Sequence, residues 1–288
     1  MEYLIYIGIL VCIFSILGIS LNLVVGEAGL ISVTHAAFAG IGGYASALLM
    51  LHTGVSFFVA VPAAMFITAA IAGVVGLIFA RLREVYYVLG TVGFNVIAYS
   101  IMLNWDSLTR GPLGIPGIPR PELFSLHLIH NSSFFVLALL CTLFTFFISE
   151  LLTRSSFGRV LHAIREDQDM TAVFGYSVLH YKVAVFAISA GFAALAGSLF
   201  ASYITYIDPA SFMVPESIFI ISIIILGGLG SNRGAVLGAC ILVVAVEALR
   251  FVGFPADVAA QMRQVAYGLI LIALMLYRPQ GILGQFKI

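Results

Sequence analysis

Residues 3–25 read YLIYIGILVCIFSILGISLNLVV, a stretch with no Asp, Glu, Lys or Arg. Such a run is long enough to cross the roughly 30 Å hydrocarbon core of a bilayer as a helix. Comparable apolar stretches recur at 30–51, 55–80, 85–103, 133–152 and 183–207, followed by shorter ones at 217–226, 235–249 and 265–277. Segments 217–226 and 235–249 stand either for two short crossings or for one broken helix buried inside a bundle. Inside lipid the backbone amides have no water to bond, so the choice lies between helices and a closed barrel. A barrel strand alternates apolar with polar residues, and IFIISIIIL at 218–226 does not alternate. The N-terminal run reads as a retained helix rather than a cleaved leader. Its first charge is Glu2, and no small-x-small cleavage pattern follows it.

Composition agrees with this reading. Hydrophobic residues make up 62% of the 288 positions and charged ones 9%, against about 25% charged in an ordinary soluble domain. The expected fold is therefore all-α: a polytopic integral membrane helical bundle of about 8–10 transmembrane segments, some short or broken, forming one domain over 1–288. With 13 basic and 13 acidic residues, nothing in the charge balance calls for nucleic acid. Cys12, Cys141 and Cys240 each lie in an apolar run without a metal-ligand partner nearby and read as packing residues.

The basic residues sort the loops. Arg81 and Arg83 follow the third segment, Arg154, Arg159, Arg165 and Lys182 fall within 153–182, and Arg278 and Lys287 follow the last segment. By the positive-inside rule these stretches face the cytoplasm, which puts the N-terminus outside and the C-terminus inside. The loop 104–131 then lies outside. Its Gly111, Pro112, Gly114, Pro116, Gly117, Pro119 and Pro121 break helices and set turns. It is read either as a plain connector or as a docking surface for an extracytoplasmic partner.

Small residues recur four apart at Ala39, Gly43 and Ala47, at Ala72, Gly76 and Ala80, and at Ala193, Gly197 and Ala201. In lipid this spacing lets helix backbones approach closely. Two glycine-rich breaks, at 26–29 and 227–234, occupy corresponding places in the two halves, the pattern of a transporter's site at mid-membrane. A charge at the bilayer centre costs about 3 kcal/mol, so Glu27, Arg233, Glu247 and Arg250 each need an interface or a partner. Glu247 and Arg250 are spaced along one helix to pair. Ser32, Thr34 and His35 make the first break unusually polar.

No catalytic constellation assembles, so the chain reads as a transport subunit and not an enzyme. There is no Gly-x-Ser-x-Gly elbow, and no Gly-Lys-Ser/Thr follows the glycines at 227–234. Any ATP that drives transport must therefore be bound and hydrolysed by another subunit, and this chain calls for no cofactor of its own. That makes SSFGRVLHAIREDQDMTAVFGY, residues 155–176, of interest. It reads as a charged cytoplasmic helix with Ser155 or Ser156 at its N-cap and Gly175 as its stop.

Four stretches together resemble the permease subunits of branched-chain amino acid ABC importers, in their LivM-like branch. These are LNLVVGEAGLISVTHAAFAGIGGYASALL from Leu21, RLREVYYVLGTVGF with RGPLGIPGIP, the 155–176 segment, and IILGGLGSNRGAVLGA with YRPQGILG. The departures are Glu84 and Val85 where a glycine is common, and Val88-Leu89-Gly90 in place of Ala-Ile-x. The resemblance implies an importer of leucine, isoleucine and valine in a bacterial-type inner membrane. It implies a sister permease subunit, two cytoplasmic ATPase subunits and an extracytoplasmic substrate-binding protein as partners. Gly158, Arg159, Ala163, Ile164, Arg165, Glu166, Asp167 and Gly175 would face the ATPase. Asn22, Gly26, Gly29, Ser32, His35 and Phe38 would lie along the translocation path, to which the breaks add Glu27, Gly228 and Gly230. The alternatives are a urea or short-chain amide permease of the same superfamily and an ion-coupled amino acid carrier acting alone.

Overall fold

The structure is a computed structural model that describes residues 2–82, 84–123, 126–127, 130–248, 265, 268–269, 272 and 281–284. The chain begins with α1 (Glu2–Asn22), which continues as a π-helical turn over Leu23–Glu27. Among the described residues, six elements are long and apolar enough to span a membrane: α1 with that turn, α2 (His35–Thr53), α3 (Phe57–Phe79), α4 (Glu84–Asn104), α6 (Asn131–Arg154) and α9 (Val178–Ile204). Between α4 and α6 lie the short α5 (Asp106–Thr109), β1 (Ile115–Pro116) and a small hairpin of β2 (Glu122–Leu123) with β3 (Leu126–His127). β1 pairs antiparallel with β4 (Tyr206–Ile207), which tethers the Gly/Pro-rich loop to the far end of α9. The surface segment is two helices, α7 (Ser156–Glu166) and α8 (Gln168–Val173).

The stretch read as two crossings or a broken helix is a bent pair, α10 (Val214–Gly227) and α11 (Asn232–Ala248), with 118° between them. The bend lies at the second glycine-rich break, where Gly228 and Gly230 take positive φ, a conformation with little cost only for glycine. α11 runs back along α1, and Tyr3 of α1 donates its hydroxyl to Glu247. The expected partner Arg250 and most of segment 265–277 lie outside the described residues.

α1 and α6 run parallel: Asn131 donates to Glu2 at one end, and Thr142 donates to the Cys12 carbonyl midway. The loop end of the bundle carries Glu2, Asn131 and the β1–β4 pair, and the basic end carries Glu27, α7 and α8. The helices pack through the small residues that the spacing singled out. A Cβ on Gly197 of α9 would land on the Ala39 carbonyl of α2, and one on Gly42 of α2 would land on the backbone of Ala194. Gly76 of α3 lies against Phe186 and Val183 of α9 in the same way. Backbones at van der Waals contact replace the hydrophobic drive that lipid does not provide.

Residues 28–34 form no helix. After the π-helical turn reaches the basic end, the chain returns into the bundle in irregular form, and α2 starts only at His35. On the other side, residues 205–213 descend from the loop end before α10 starts. The two helix starts meet, because the Ala36 N–H donates to Ser217 Oγ at 3.0 Å. Depth follows from helix rise: Ser189 and Asn95, which meet these starts, each lie eleven residues into α9 and α4 from the basic end, about 16 Å along at 1.5 Å per residue. Half of a 30 Å core is about the same distance.

Candidate functional site

Two polar knots hold the interrupted elements. The first lies at mid-depth and satisfies the backbone of residues 33–36. The Val33 N–H donates to Thr91 Oγ1 at 3.2 Å, and Asn95 Nδ2 donates to the Val33 carbonyl at 2.9 Å and to Ser217 Oγ at 2.8 Å. Ser189 Oγ donates to the Ser20 carbonyl at 2.7 Å, so it must accept from His35 Nε2, also at 2.7 Å. That network assigns the proton of His35 to Nε2. His35 is 1% exposed, and its Nδ1 has no partner among the described residues. Ser32 Oγ and Thr34 Oγ1 bond each other, and Phe38 lies edge-on to Phe186. Irregular backbone at this depth persists because Thr91 and Asn95 of α4 and Ser217 of α10 bond it, while Ser189 of α9, itself bonded to the Ser20 carbonyl of α1, holds the His35 ring.

The second knot lies at the basic end and brings the two glycine breaks together. Asn22 Oδ1 accepts from the Gly230 N–H at 3.0 Å, and Asn22 Nδ2 donates to Asn232 Oδ1 at 3.3 Å. Asn232 also accepts from Ser149 at 3.0 Å and donates to Glu150 at 3.1 Å. A Cβ on Gly26 would crowd Gly230 N, and one on Gly29 would meet the Arg165 side chain. The pattern of paired breaks points to mid-depth, whereas the geometry gives the breaks the basic end and gives mid-depth to the two helix starts. The reason is length: α1 with its π-helical turn is 26 residues long and traverses the bundle fully before the break at Gly26 comes. Asn22→Ala should lower the thermal stability of the folded permease by about 1–3 kcal/mol, since it orphans the buried Gly230 N–H. A melt equal to that of the unaltered chain would remove this bond from the account.

The surface helices attach at this second knot. Arg165 of α7 donates to the Gly26 carbonyl, and His162 meets the Glu27 carboxylate, which is 3% exposed, through Nε2. Burial pushes the Arg165 guanidinium down from its ordinary value, while Glu166 and Glu27 oppose that shift. Ser155 caps α7 by accepting from the Phe157 N–H, as the pattern expects. One continuous helix to Gly175 does not form. Asp167 instead accepts from Asp169 N and Met170 N and starts α8, because an aspartate bonds its own backbone better as an N-cap than in a helix interior.

Of the other residues in this segment, Gly158 is buried and packed on the Thr153 carbonyl, Ile164 is buried, and Arg159, Ala163, Glu166, Asp167 and Gly175 are exposed. Met170, Val173 and Phe174 of the same segment turn outward, Val173 82% and Phe174 78% exposed. Arg233 is exposed at a polar cleft of about 470 Å³ that Glu27, Glu150, Arg154 and His162 also line. Residues 281–284 close the second break from above: the N–H groups of Ile282 and Leu283 donate to the carbonyls of Leu226 and Gly227 at 3.0 and 2.8 Å. Gly228 accepts that contact only because it has no side chain.

Sequence reasoning singled out Asn22, Gly26, Glu27, Ser32 and His35 but not their partners Ser20, Thr91, Asn95, Ser149, Ser189, Ser217 and Asn232. All but Asn232, which stands within the second glycine-rich break, are small polar residues in apolar runs, and an isolated Asn in such a run is the signal that was there to use. Glu216 was also passed over, one position before the segment assigned to 217–226.

Among known proteins, residues 3–277 match the family model described as branched-chain amino acid transport system / permease component. The chain is 34% identical to the high-affinity branched-chain amino acid transport system permease protein LivM of Salmonella typhimurium, over 98% of this chain and 70% of that protein. It is 26% identical to the probable branched-chain amino acid transport permease protein LivM of Methanocaldococcus jannaschii, over 95% of this chain and 91% of the relative. Identity to LivH of the same Salmonella strain is 29%, over 94% of this chain and 91% of that protein. No solved structure matches the chain. With a family model covering nearly its whole length, this polytopic helical membrane protein belongs to the permease components of branched-chain amino acid transport systems.

Proposed function

We propose that this chain is the membrane-spanning permease subunit of an ATP-driven importer, and that it moves leucine, isoleucine and valine into the cytoplasm across a bacterial-type inner membrane. The observation that carries the reading is the attachment of α7 to the end of α1: Arg165 on the Gly26 carbonyl and His162 on Glu27. A surface helix bonded to the first break transmits a push into the bundle. The outward apolar side chains Met170, Val173 and Phe174 beside it offer a protein partner more than they offer water. Two cytoplasmic ATPase subunits bind there, closing on α7 and α8 and so driving the rearrangement.

A sister permease completes the pathway, an assignment supported by similarity to both LivM and LivH. An extracytoplasmic binding protein delivers substrate to the loop end, over the Gly/Pro-rich segment tethered by β1 and β4. The basic loops that gather at the other end support its facing the cytoplasm, with the N-terminus outside. Both knots lie on the path between the two ends.

The test is uptake by the complex reconstituted in liposomes with its ATPases and binding protein inside and outside, respectively. Leucine uptake should require ATP and stop with a hydrolysis-dead ATPase. Uptake by this chain alone, driven by an ion gradient, would establish the carrier alternative instead, and selective uptake of urea would establish the amide permease.

A further inference from the structure

A cavity of about 260 Å³ lies between α1, α2, α9 and α10. That is near the lower end of the size range of small-molecule sites, about 300–1,000 Å³. Its walls are largely apolar, with Ile13, Phe14, Phe200 and Ile220 among them. The polar lining consists of Tyr6, Ser211 and Glu216. Ser211 gives its hydroxyl proton to Asp208. Glu216 is half-buried, and its carboxylate has no hydrogen bond or ion pair among the described residues.

Position makes that carboxylate unusual. It precedes Ser217, which receives the Ala36 N–H, so it stands at the mid-depth meeting of the two helix starts. A glutamate in the first turn of α10 gains from the positive end of the helix. That role alone would be served as well by a residue facing a neighbouring helix, and it does not explain a carboxylate without a partner among the described residues in the wall of an apolar cavity. An ionisable group at this depth is retained where it meets a partner or lines a path.

We propose that Glu216 is the counter-charge for the α-ammonium of an aliphatic amino acid lodged in this cavity, with the ligand's side chain against Phe14, Phe200 and Ile220. The inference rests on the import function proposed above and adds to it the place where the ligand pauses. The dipole of α2 favours the ligand's carboxylate, since Ala36 in its first turn shares the cavity wall, although the Ala36 N–H itself is held by Ser217 Oγ. Charge-assisted bonds at the polar end and an apolar pocket for the rest are what recognise a zwitterion with a hydrocarbon side chain.

The experiment uses the reconstituted complex and two probes. In ATP-driven uptake of radiolabelled leucine, Glu216→Gln should raise KM tenfold or more and Glu216→Asp should recover most of the loss, an order that a merely structural glutamate would not produce. Photo-leucine, a diazirine analogue, irradiated with the unaltered complex should label peptides within 6–17 or 211–220; this arm stands even if the variants fail to assemble. An unchanged KM in Glu216→Gln, or labelling confined to other segments while ATP-driven uptake persists, overturns the site and leaves the importer intact. No ATP-driven uptake by the unaltered complex overturns the importer and the site with it.

Discussion

Replacing Arg165 by Ala is expected to cut ATP-driven uptake about ten- to a hundredfold while leaving the complex assembled and hydrolysing ATP. Arg165 is the charged donor on the Gly26 carbonyl, and a bond of that kind contributes about 1.5–3 kcal/mol. Each 1.36 kcal/mol lost from a transmitted step is about a tenfold change in rate. The partial burial of its stem against Gly29 means that Ala also removes packing. Arg165→Lys keeps the charge without the planar fork and should fall between the two. The measurement is uptake and phosphate release on the same proteoliposomes. Parallel loss of both would mean that Arg165 holds the complex together rather than transmitting movement, and unchanged uptake would remove α7 from the coupling route.

The largest structural effect is expected from Gly197→Val. The backbone of α2 lies where the new Cβ would go, against the Ala39 carbonyl, so no side-chain rotation relieves the clash. Overpacking ordinarily costs about 1–3 kcal/mol, and here it falls on backbone against backbone, at the top of that range or above it. A native protein has about 5–15 kcal/mol to lose, so the variant should melt many degrees lower and accumulate poorly in the membrane. Gly73→Ala supplies the contrast. It lies inside α3 with open space around its Cβ position, and exchanging glycine for alanine in a helix interior stabilises by about 0.5–1 kcal/mol. Equal melting of the two variants would refute the close approach of α2 and α9.

These two residues also mark how much was legible. Gly197 belongs to a small-residue spacing visible in the sequence, because helix periodicity and helix contact both act locally along the chain. The six long helices were legible for the same reason: an apolar run needs no partner to declare itself. The helix starts at His35 and Val214 were not, since they are held by hydrogen bonds with Thr91, Asn95 and Ser189, residues far away along the chain. Asp167 shows a different failure. The charged face of 155–176 suggested one helix, but a side chain able to cap its own backbone competed locally and won. Glu216 was hidden by its neighbours, because Asp208, Pro209 and Pro215 give its surroundings the look of a loop while the chain there is already deep in the bundle.

The closure of the second glycine break by Ile282 and Leu283 bears on how the protein comes into being. The carbonyls of Leu226 and Gly227 receive their donors from residues made 56 positions later. At about 5–20 residues per second of synthesis, the end of α10 waits several seconds for those donors after it has itself been made. Until then the two carbonyls at the end of α10 lack the donors they hold in the finished fold, so this corner of the protein is completed only once residues 282 and 283 have been made.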